Sequence, residues 1–423
     1  MHTDEFDFVA LDGLRVGLFV DLDLGWLAHP FSTSRFKITT ERQIETLKSL
    51  GVDRIRYVPA RSDPPESDLP PEGTSASTST RSAKVATQPR PASPGPGMAA
   101  KAGECERRFT ETTQQFRQAM DKLQSSPQDA ARLCQGMVQS LTSEMLSQGD
   151  VAIRLLTEAA GDKSAMHPVN VAVISLLLGK ALGVQGAALD ELGLAAFLHD
   201  MGKLKLPERA RRWESNFSAG EVKVYQEHVN LGVDMARQMG LSDGVIKAIA
   251  QHHEMVDGSG FPQRLKGEAL TLNARILALV NRYDGMCNPV KLSAAMTPHE
   301  ALSTIFSQQK TRFDTTVLSA FIRMMGVYPP GSVVQLNDER HAMVVSVNSA
   351  RPLKPRILVH EPSVPRHQAS ILDLERTPNT SIRRSLKPSS LPAPALDYLQ
   401  PRQRICYFYE AATAESEFAA LAG

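Results

Sequence analysis

Residues 61–100 constrain this chain more than any other stretch. Pro, Ser, Thr, Gly and Ala dominate them, in runs such as PPEGTSASTST and PRPASPGPG. So little apolar surface cannot offset the entropy of ordering the backbone, which predicts a flexible linker. A 423-residue chain with such a gap does not condense around one core. It builds one unit before the linker and at least one after it.

Residues 1–60 predict a small α+β domain. Strand-like segments Arg15–Leu22 and Arg54–Pro59 flank a helical segment, Thr40–Leu50, which Gly51 closes and Thr39 or Thr40 caps. Beyond the linker, Phe109, Phe116, Met120 and Leu123 recur at helical spacing, as do Met137, Leu141, Met145 and Leu146. The pattern stays helical to residue 326 with no sheet needed. It predicts a helical lead-in at 101–139 and an all-helical domain at 140–328. Tyr328-Pro329-Pro330-Gly331 ends it. Residues 329–411 predict a small β unit with strands at Val333–Leu336, Ala342–Val347, Arg356–His360, Ile371–Leu374 and Ile405–Tyr409, a polar loop at 376–400, and a tail at 412–423. The fold class is therefore mainly α, between a small N-terminal α+β domain and a small C-terminal β unit.

The net charge of +1 supplies no global field for a nucleic-acid polymer or an anionic membrane. A small anionic substrate needs only a local patch. Cys105, Cys134, Cys287 and Cys406 form no CxxC and predict neither a zinc framework nor a disulfide scaffold. The start, MHTDEFDF, has no apolar signal region. The longest apolar run, Val169–Leu178, is broken by Asn170 and Ser175 and is too short to span a bilayer. These features predict a cytoplasmic protein. The amphipathic helices at 105–146 fit either a homodimer contact or an intramolecular bundle.

The chemistry sits in a few histidines. His252-His253 stand side by side, ahead of the Gly-rich Asp257-Gly258-Ser259-Gly260-Phe261-Pro262. His199-Asp200 lies upstream in FLHDMGK, and His167 and His228 stand alone. Neutral imidazole binds transition metals, and one carboxylate can bridge two of them. Each residue taken singly has an ordinary alternative as a core, surface or turn residue. Their joint order is the stronger signal.

That order resembles the HD-GYP family of cyclic-di-GMP phosphodiesterases. The family's HDxGK stands here as His199-Asp200-Met201-Gly202-Lys203, its middle histidine as His228 in QEHVNLG, and its HHExxDGxGYP as HHEMVDGSGFP, followed by LKGEAL and ARIL. Its early histidine falls on His167. The likeness covers residues 140–328. In the N-terminal unit, Leu14-Arg15-Val16-Gly17, Trp26, His29-Pro30-Phe31 and Phe36-Lys37-Ile38 resemble a small domain of unknown function that often precedes such modules.

The resemblance implies an all-helical HD-type phosphohydrolase core with two divalent transition-metal ions, iron or manganese. Asp200 would bridge them. His199, residue 281 and His167 would complete one set; His228, His252 and His253 would complete the other. A water acidified between two cations attacks phosphorus in line, and Lys203, one turn after Asp200, would stabilise the phosphoryl charge. The Gly260-Phe261-Pro262 loop either shapes the lip of the site or docks other signalling proteins.

Four positions depart from the family. Asn281 replaces the late metal aspartate, with Asp284 three residues on as a substitute ligand. Lys163 replaces a glutamate that helps hold a third metal in some members, which leaves two. Pro168 directly follows His167 and predicts that a helix through 151–166 ends or kinks there. Cys287-Asn288-Pro289-Val290-Lys291-Leu292 lacks the family's substrate arginine, with Lys291 a partial replacement. The sequence therefore predicts a metal-dependent phosphodiesterase that converts cyclic-di-GMP to the linear dinucleotide or GMP in bacterial second-messenger signalling. Two alternatives stay open: a degenerate module that binds cyclic-di-GMP or a partner protein without turnover, and a hydrolase of another nucleotide or phosphoester.

Overall fold

The computed structural model describes residues 6–22, 35–48, 54–63, 96–157, 160–161, 164–212, 217–369, 371–377 and 379–412. The readings of Trp26, His29-Pro30-Phe31, Gly51, Lys163, most of the linker and nearly all of the tail lie outside these residues. Contacts divide the chain into two units, Met1–Ala92 and Ser93–Gly423.

In the first unit, Asp7–Ala10, Arg54–Tyr57, Phe19–Asp21 and Arg35–Lys37 form a four-stranded antiparallel sheet in that spatial order. The Glu41–Lys48 helix accompanies it. Leu18, Val20, Ile38, Ile44, Leu47 and Ile55 make the core. Asp21 is buried and paired: Arg35 and Arg56 both reach its Oδ2 at 3.1 Å.

In the second unit, two long helices, Pro96–Lys122 and Pro127–Ser147, turn their apolar faces inward. Phe109, Phe116 and Ala119 on one, and Cys134, Met137, Leu141 and Met145 on the other, are buried within the unit. The centre is Met166–Ala181 beside Ala187–Leu198, both apolar nearly all round, as helices enclosed on every side must be. Leu272–Cys287 packs against them, and Asp243–Gln251 covers one end. Polar caps set where several of these helices start: Ser242 accepts from Val245 N and Thr271 from Ala274 N. Among the described residues no helix is long and apolar enough to cross a membrane.

The expectation of a sheet-free helical region fails at one place. Val151–Leu155 is a strand, not the start of a helix leading to His167. It lies inside a seven-stranded antiparallel sheet, between His341–Asn348 and Tyr407–Ala411. All five of its residues are buried, so the in–out alternation that marks a strand is missing. Its one charge, Arg154, is hidden by a two-pronged bond to Glu410 at 2.8 and 3.0 Å. The C-terminal β unit is thus completed by a strand from the helical region. The predicted loop at 376–400 also holds structure: the Ile382–Leu386 strand and the Ala393–Leu399 helix. Arg383 and Arg384 obscure that strand in the sequence because it is a sheet edge, where charge is tolerated.

Candidate metal centre

Helix ends build the site. His199 follows the last residue of Ala187–Leu198, His252 the last residue of Asp243–Gln251, and His228 opens His228–Gln238 just past Ala219–Gln226. A helix leaves its final carbonyls without backbone donors. Each of these rings fills one such vacancy: His199 Nδ1 donates to Ala196 O (2.8 Å), His228 Nδ1 to Tyr225 O (2.5 Å) and His252 Nδ1 to Ile249 O (2.6 Å). With Nδ1 carrying the proton, Nε2 keeps its lone pair and faces inward.

Those lone pairs meet around Asp200. Its Oδ2 lies 3.4 Å from His199 Nε2 and 3.5 Å from His167 Nε2; its Oδ1 lies 3.6 Å from His228 Nε2 and 3.8 Å from His252 Nε2. Each pair of rings is itself close, at 3.2 Å for His167–His199 and 3.3 Å for His228–His252. Asp200, His228, His252 and His253 form one ligand set, and His167, His199 and Asp200 another, with potential ligand atoms within 4.8 Å in each. Asp200 Oδ1 and His253 Nε2 are buried without a hydrogen-bond partner. Buried polar atoms rarely go unsatisfied, so acceptors converging on two orphans fit a cation.

The electrostatics agree. Burial holds His228 down to about 3, and burial likewise lowers His199 and His253. These rings are neutral, the form that binds metal. Burial pushes Asp200 up, but Lys203 and His199 beside it outweigh this and hold it well below the usual carboxylate range. His167 behaves differently. Burial pulls it down, yet the carboxylates of Asp200 and Asp284 on either side prevail and lift it to about 9.

Every predicted histidine reaches the cluster. His167 sits in the first turn of Met166–Ala181, where Pro168 is tolerated because its missing N–H has no helical partner to lose. The expected kink is therefore absent. Lys203 lies in the 3-10 turn Met201–Lys205 and donates to Asp200 Oδ2 at 2.5 Å. Gly202 lets that turn press on the His228 helix: a Cβ there would fall 1.9 Å from His228 O.

Among the described residues Asp284 joins neither candidate ligand set. It is buried behind His167, with Oδ2 accepting from His167 Nδ1 at 2.6 Å and Oδ1 taken by the amides of Asn170 and Asn288. A carboxylate behind a ligating histidine fixes its ring and raises its basicity. Asn281 lies one turn earlier on the same helix, half-buried, and its side chain makes no hydrogen bond among the described residues. Lys291 is exposed beyond the end of that helix.

The Gly-rich loop turns inward. Phe261 stacks on His253, with ring centres 4.5 Å apart and planes at 21°. Buried Glu254 accepts the backbone N–H groups of Gln263, Arg264 and Leu265 and so holds the loop in place. A Cβ on Gly260 would lie 2.5 Å from the backbone of His253–Met255. Gly260 is buried and Phe261 and Pro262 are half-buried, the disposition of a site wall. Asn170, Asn288, Glu254 and Tyr225 went unread in the sequence. Two of them left a signal: Asn170 as a polar residue inside an apolar run one turn after His167, and Glu254 as the glutamate of HHEMVDGSGFP.

Residues 141–317 match the HD domain family, and residues 8–134 match a domain of unknown function, DUF3391, whose span runs from the N-terminal unit through the linker into the second long helix. Cyclic di-GMP phosphodiesterase PA4108 of Pseudomonas aeruginosa is 27% identical over 364 residues, covering 82% of this chain and 83% of that protein. Cyclic di-GMP phosphodiesterase PdeB of Borreliella burgdorferi is 23% identical over 53% of this chain and 60% of its own length. Among solved structures, the HDG"Y"P protein Bd1817 of Bdellovibrio bacteriovorus aligns over 75% of this chain and 98% of its own, at 14% identity and a TM-score of 0.40. The chain thus carries an HD domain preceded by DUF3391, and its similar relatives include proteins named as cyclic di-GMP phosphodiesterases.

Proposed function

We propose that this protein is a metal-dependent phosphodiesterase that hydrolyses cyclic-di-GMP to the linear dinucleotide, to GMP, or to both. The observation that carries the reading is Asp200: each of its two oxygens faces its own pair of imidazole nitrogens. That arrangement suits two divalent ions with one bridging carboxylate. His167, His199 and Asp200 hold one, with the Asn281 amide as a further donor; Asp200, His228, His252 and His253 hold the other. Mixed imidazole and carboxylate ligation favours iron or manganese. Bound ions of this kind supply Lewis acidity to a water and to a phosphoryl oxygen. The protein contributes positioning. Helix carbonyls lock the ligand rings, Phe261 shields His253, and Lys203 gives positive charge to the phosphoryl oxygens once a metal takes over Asp200. Lys291 reaches a substrate phosphate from beyond the Leu272–Cys287 helix.

A second reading, nucleotide binding without turnover, draws support from Asn281, which leaves the first ligand set one charge short. The test is turnover by protein purified without oxygen and supplied with iron(II) or manganese(II). Cyclic-di-GMP is the main substrate and 3'3'-cGAMP the comparison, because relatives named for each are among those similar to this chain. Chromatography resolves the products. His199→Ala and Asp200→Ala are expected to lose both turnover and metal while keeping the helical signal. Full activity in either variant, or no product from metal-loaded wild type, overturns the enzymatic reading.

A further inference from the structure

The C-terminal strand is tied to His167 by two asparagines. Asn170 is fully buried, one turn after His167, and Asn288 ends the Leu272–Cys287 helix. Each uses both ends of its amide. Asn170 Nδ2 donates to Asp284 Oδ1 and to Ile405 O (3.3 Å), while its Oδ1 accepts from Tyr407 N (2.8 Å). Asn288 Nδ2 donates to Asp284 Oδ1 (2.9 Å) and to Ile405 O (2.8 Å), while its Oδ1 accepts from Ile405 N (2.8 Å). The backbone at 405–407 therefore orients both amides, and both amides converge on the same oxygen of Asp284. The other oxygen holds His167 Nδ1. Tyr407 fixes the strand in turn, its hydroxyl donating to Pro330 O at 3.0 Å and lying 3.1 Å from Tyr283 Oη.

We infer that Asn170, Asn288 and the Ile405–Tyr407 backbone are positioning elements for one half of the metal centre. They aim His167 Nε2 at His199 and Asp200 through Asp284. The other half does not depend on them, because His228 and His252 are oriented by the carbonyls of their own helix ends. The closing strand thus belongs to the centre's frame, although it lies more than 230 residues from His167 in sequence. This inference rests on the two-ion reading above.

The test is cobalt(II) titration of the full-length metal-free protein, read as ions bound per chain and as the affinity for each. Wild type is expected to bind two. Asn288→Ala and Asn170→Ala are expected to keep one tight ion and to weaken the other by about 10–100-fold, the range typical for a lost ligand partner. Tyr407→Phe serves as the stability control. It removes the hydroxyl's bonds to Pro330 O and Tyr283 Oη but keeps the Ile405–Tyr407 backbone bonds to both amides, and is expected to melt lower yet bind two ions. The inference is overturned if both asparagine variants bind two ions with wild-type affinity. It is equally overturned if they lose both ions together, or if Tyr407→Phe loses the same single ion. Wild type binding fewer than two ions refutes the two-ion reading itself, a result separate from any variant's.

Discussion

Gly202→Ala probes the packing that brings the two ligand sets together. A Cβ at 202 would lie 1.9 Å from His228 O, 2.9 Å from His228 C and 2.6 Å from Gly232 N. All three are backbone atoms of one helix, so no side chain can swing aside. Restoring ordinary contact, ~3.5 Å between heavy atoms, separates the Met201–Lys205 turn from the His228 helix by more than about 1 Å. Asp200 opens that turn, and its Oδ1 is 3.6 Å from His228 Nε2. The substitution is thus expected to disturb both stability and metal binding. Overpacking a rigid site costs about 1–3 kcal/mol, and rigid backbone on every side puts this case near ~3 kcal/mol. Gly136→Ala is the control. It is exposed within the Pro127–Ser147 helix and a Cβ there meets nothing within 4 Å, so it should gain ~0.5–1 kcal/mol from helix propensity alone. Urea unfolding of chelated protein, followed by far-ultraviolet circular dichroism, reads both. Equal midpoints for Gly202→Ala and wild type, or comparable losses in the two variants, would refute the reasoning.

Three further outcomes follow from the same coordinates. In chelated protein, His228 has its folded pKa lowered from 6.5 to about 3 by burial, so its contribution is present above pH 6.5 and lost as pH falls towards 3, where the unfolded chain takes the proton first. His167 runs the other way: lifted to about 9 against burial by Asp200 and Asp284, its contribution is complete below pH 6.5 and lost as pH rises through 9. His167→Gln should flatten only the alkaline side of a urea-midpoint profile, and an unchanged alkaline slope would show that the ring carries no proton there. Arg154→Met strands the buried Glu410 carboxylate and should cost about 3–5 kcal/mol, less whatever Arg356 recovers from 3.7 Å away; pairing it with Glu410→Leu should restore most of the loss in a melting experiment. Asn281→Asp should raise metal occupancy by elemental analysis, and identical occupancy would remove residue 281 from the ligand set.

What the sequence reveals here depends on how local the physical cause is. His199, His252 and His228 are readable because each acts within one helix end: the ring bonds a carbonyl three residues back and presents its other nitrogen. Strands Val333–Leu336 and His341–Asn348 are readable because a short turn joins them and their composition is β-branched. Val151–Leu155 is opaque because its partners lie some 200 to 250 residues away, at 346–348 and 407–411, and because full burial erases its alternation. Asn170 and Asn288 are opaque for the same reason. An asparagine that interrupts an apolar helix looks the same whether it faces water or clasps a distant strand. Asp284 was weighed as a ligand because spacing places it on the right face, but spacing cannot say which of its oxygens are already taken.

The charges of the cluster are already balanced among its own side chains. A buried carboxylate without compensation would take up a proton and lose its use as a ligand. Asp200 avoids this through its neighbours on one oxygen, chiefly the Lys203 ammonium at 2.5 Å and the His199 ring at 3.4 Å, with His167 at 3.5 Å. Its other oxygen faces His228 Nε2 and His252 Nε2 and has no hydrogen-bond partner. The two halves are therefore unequal before any metal arrives. On the Oδ1 side an ion would meet the inward-facing Nε2 atoms of His228 and His252 and an oxygen with no hydrogen bond to lose. On the Oδ2 side an ion would compete with Lys203 and His167, which both lie beside that oxygen. The half that the C-terminal strand frames is thus the one where binding works against existing charge, and a ring held in fixed aim by Asp284 lowers the reorganisation that this exchange requires.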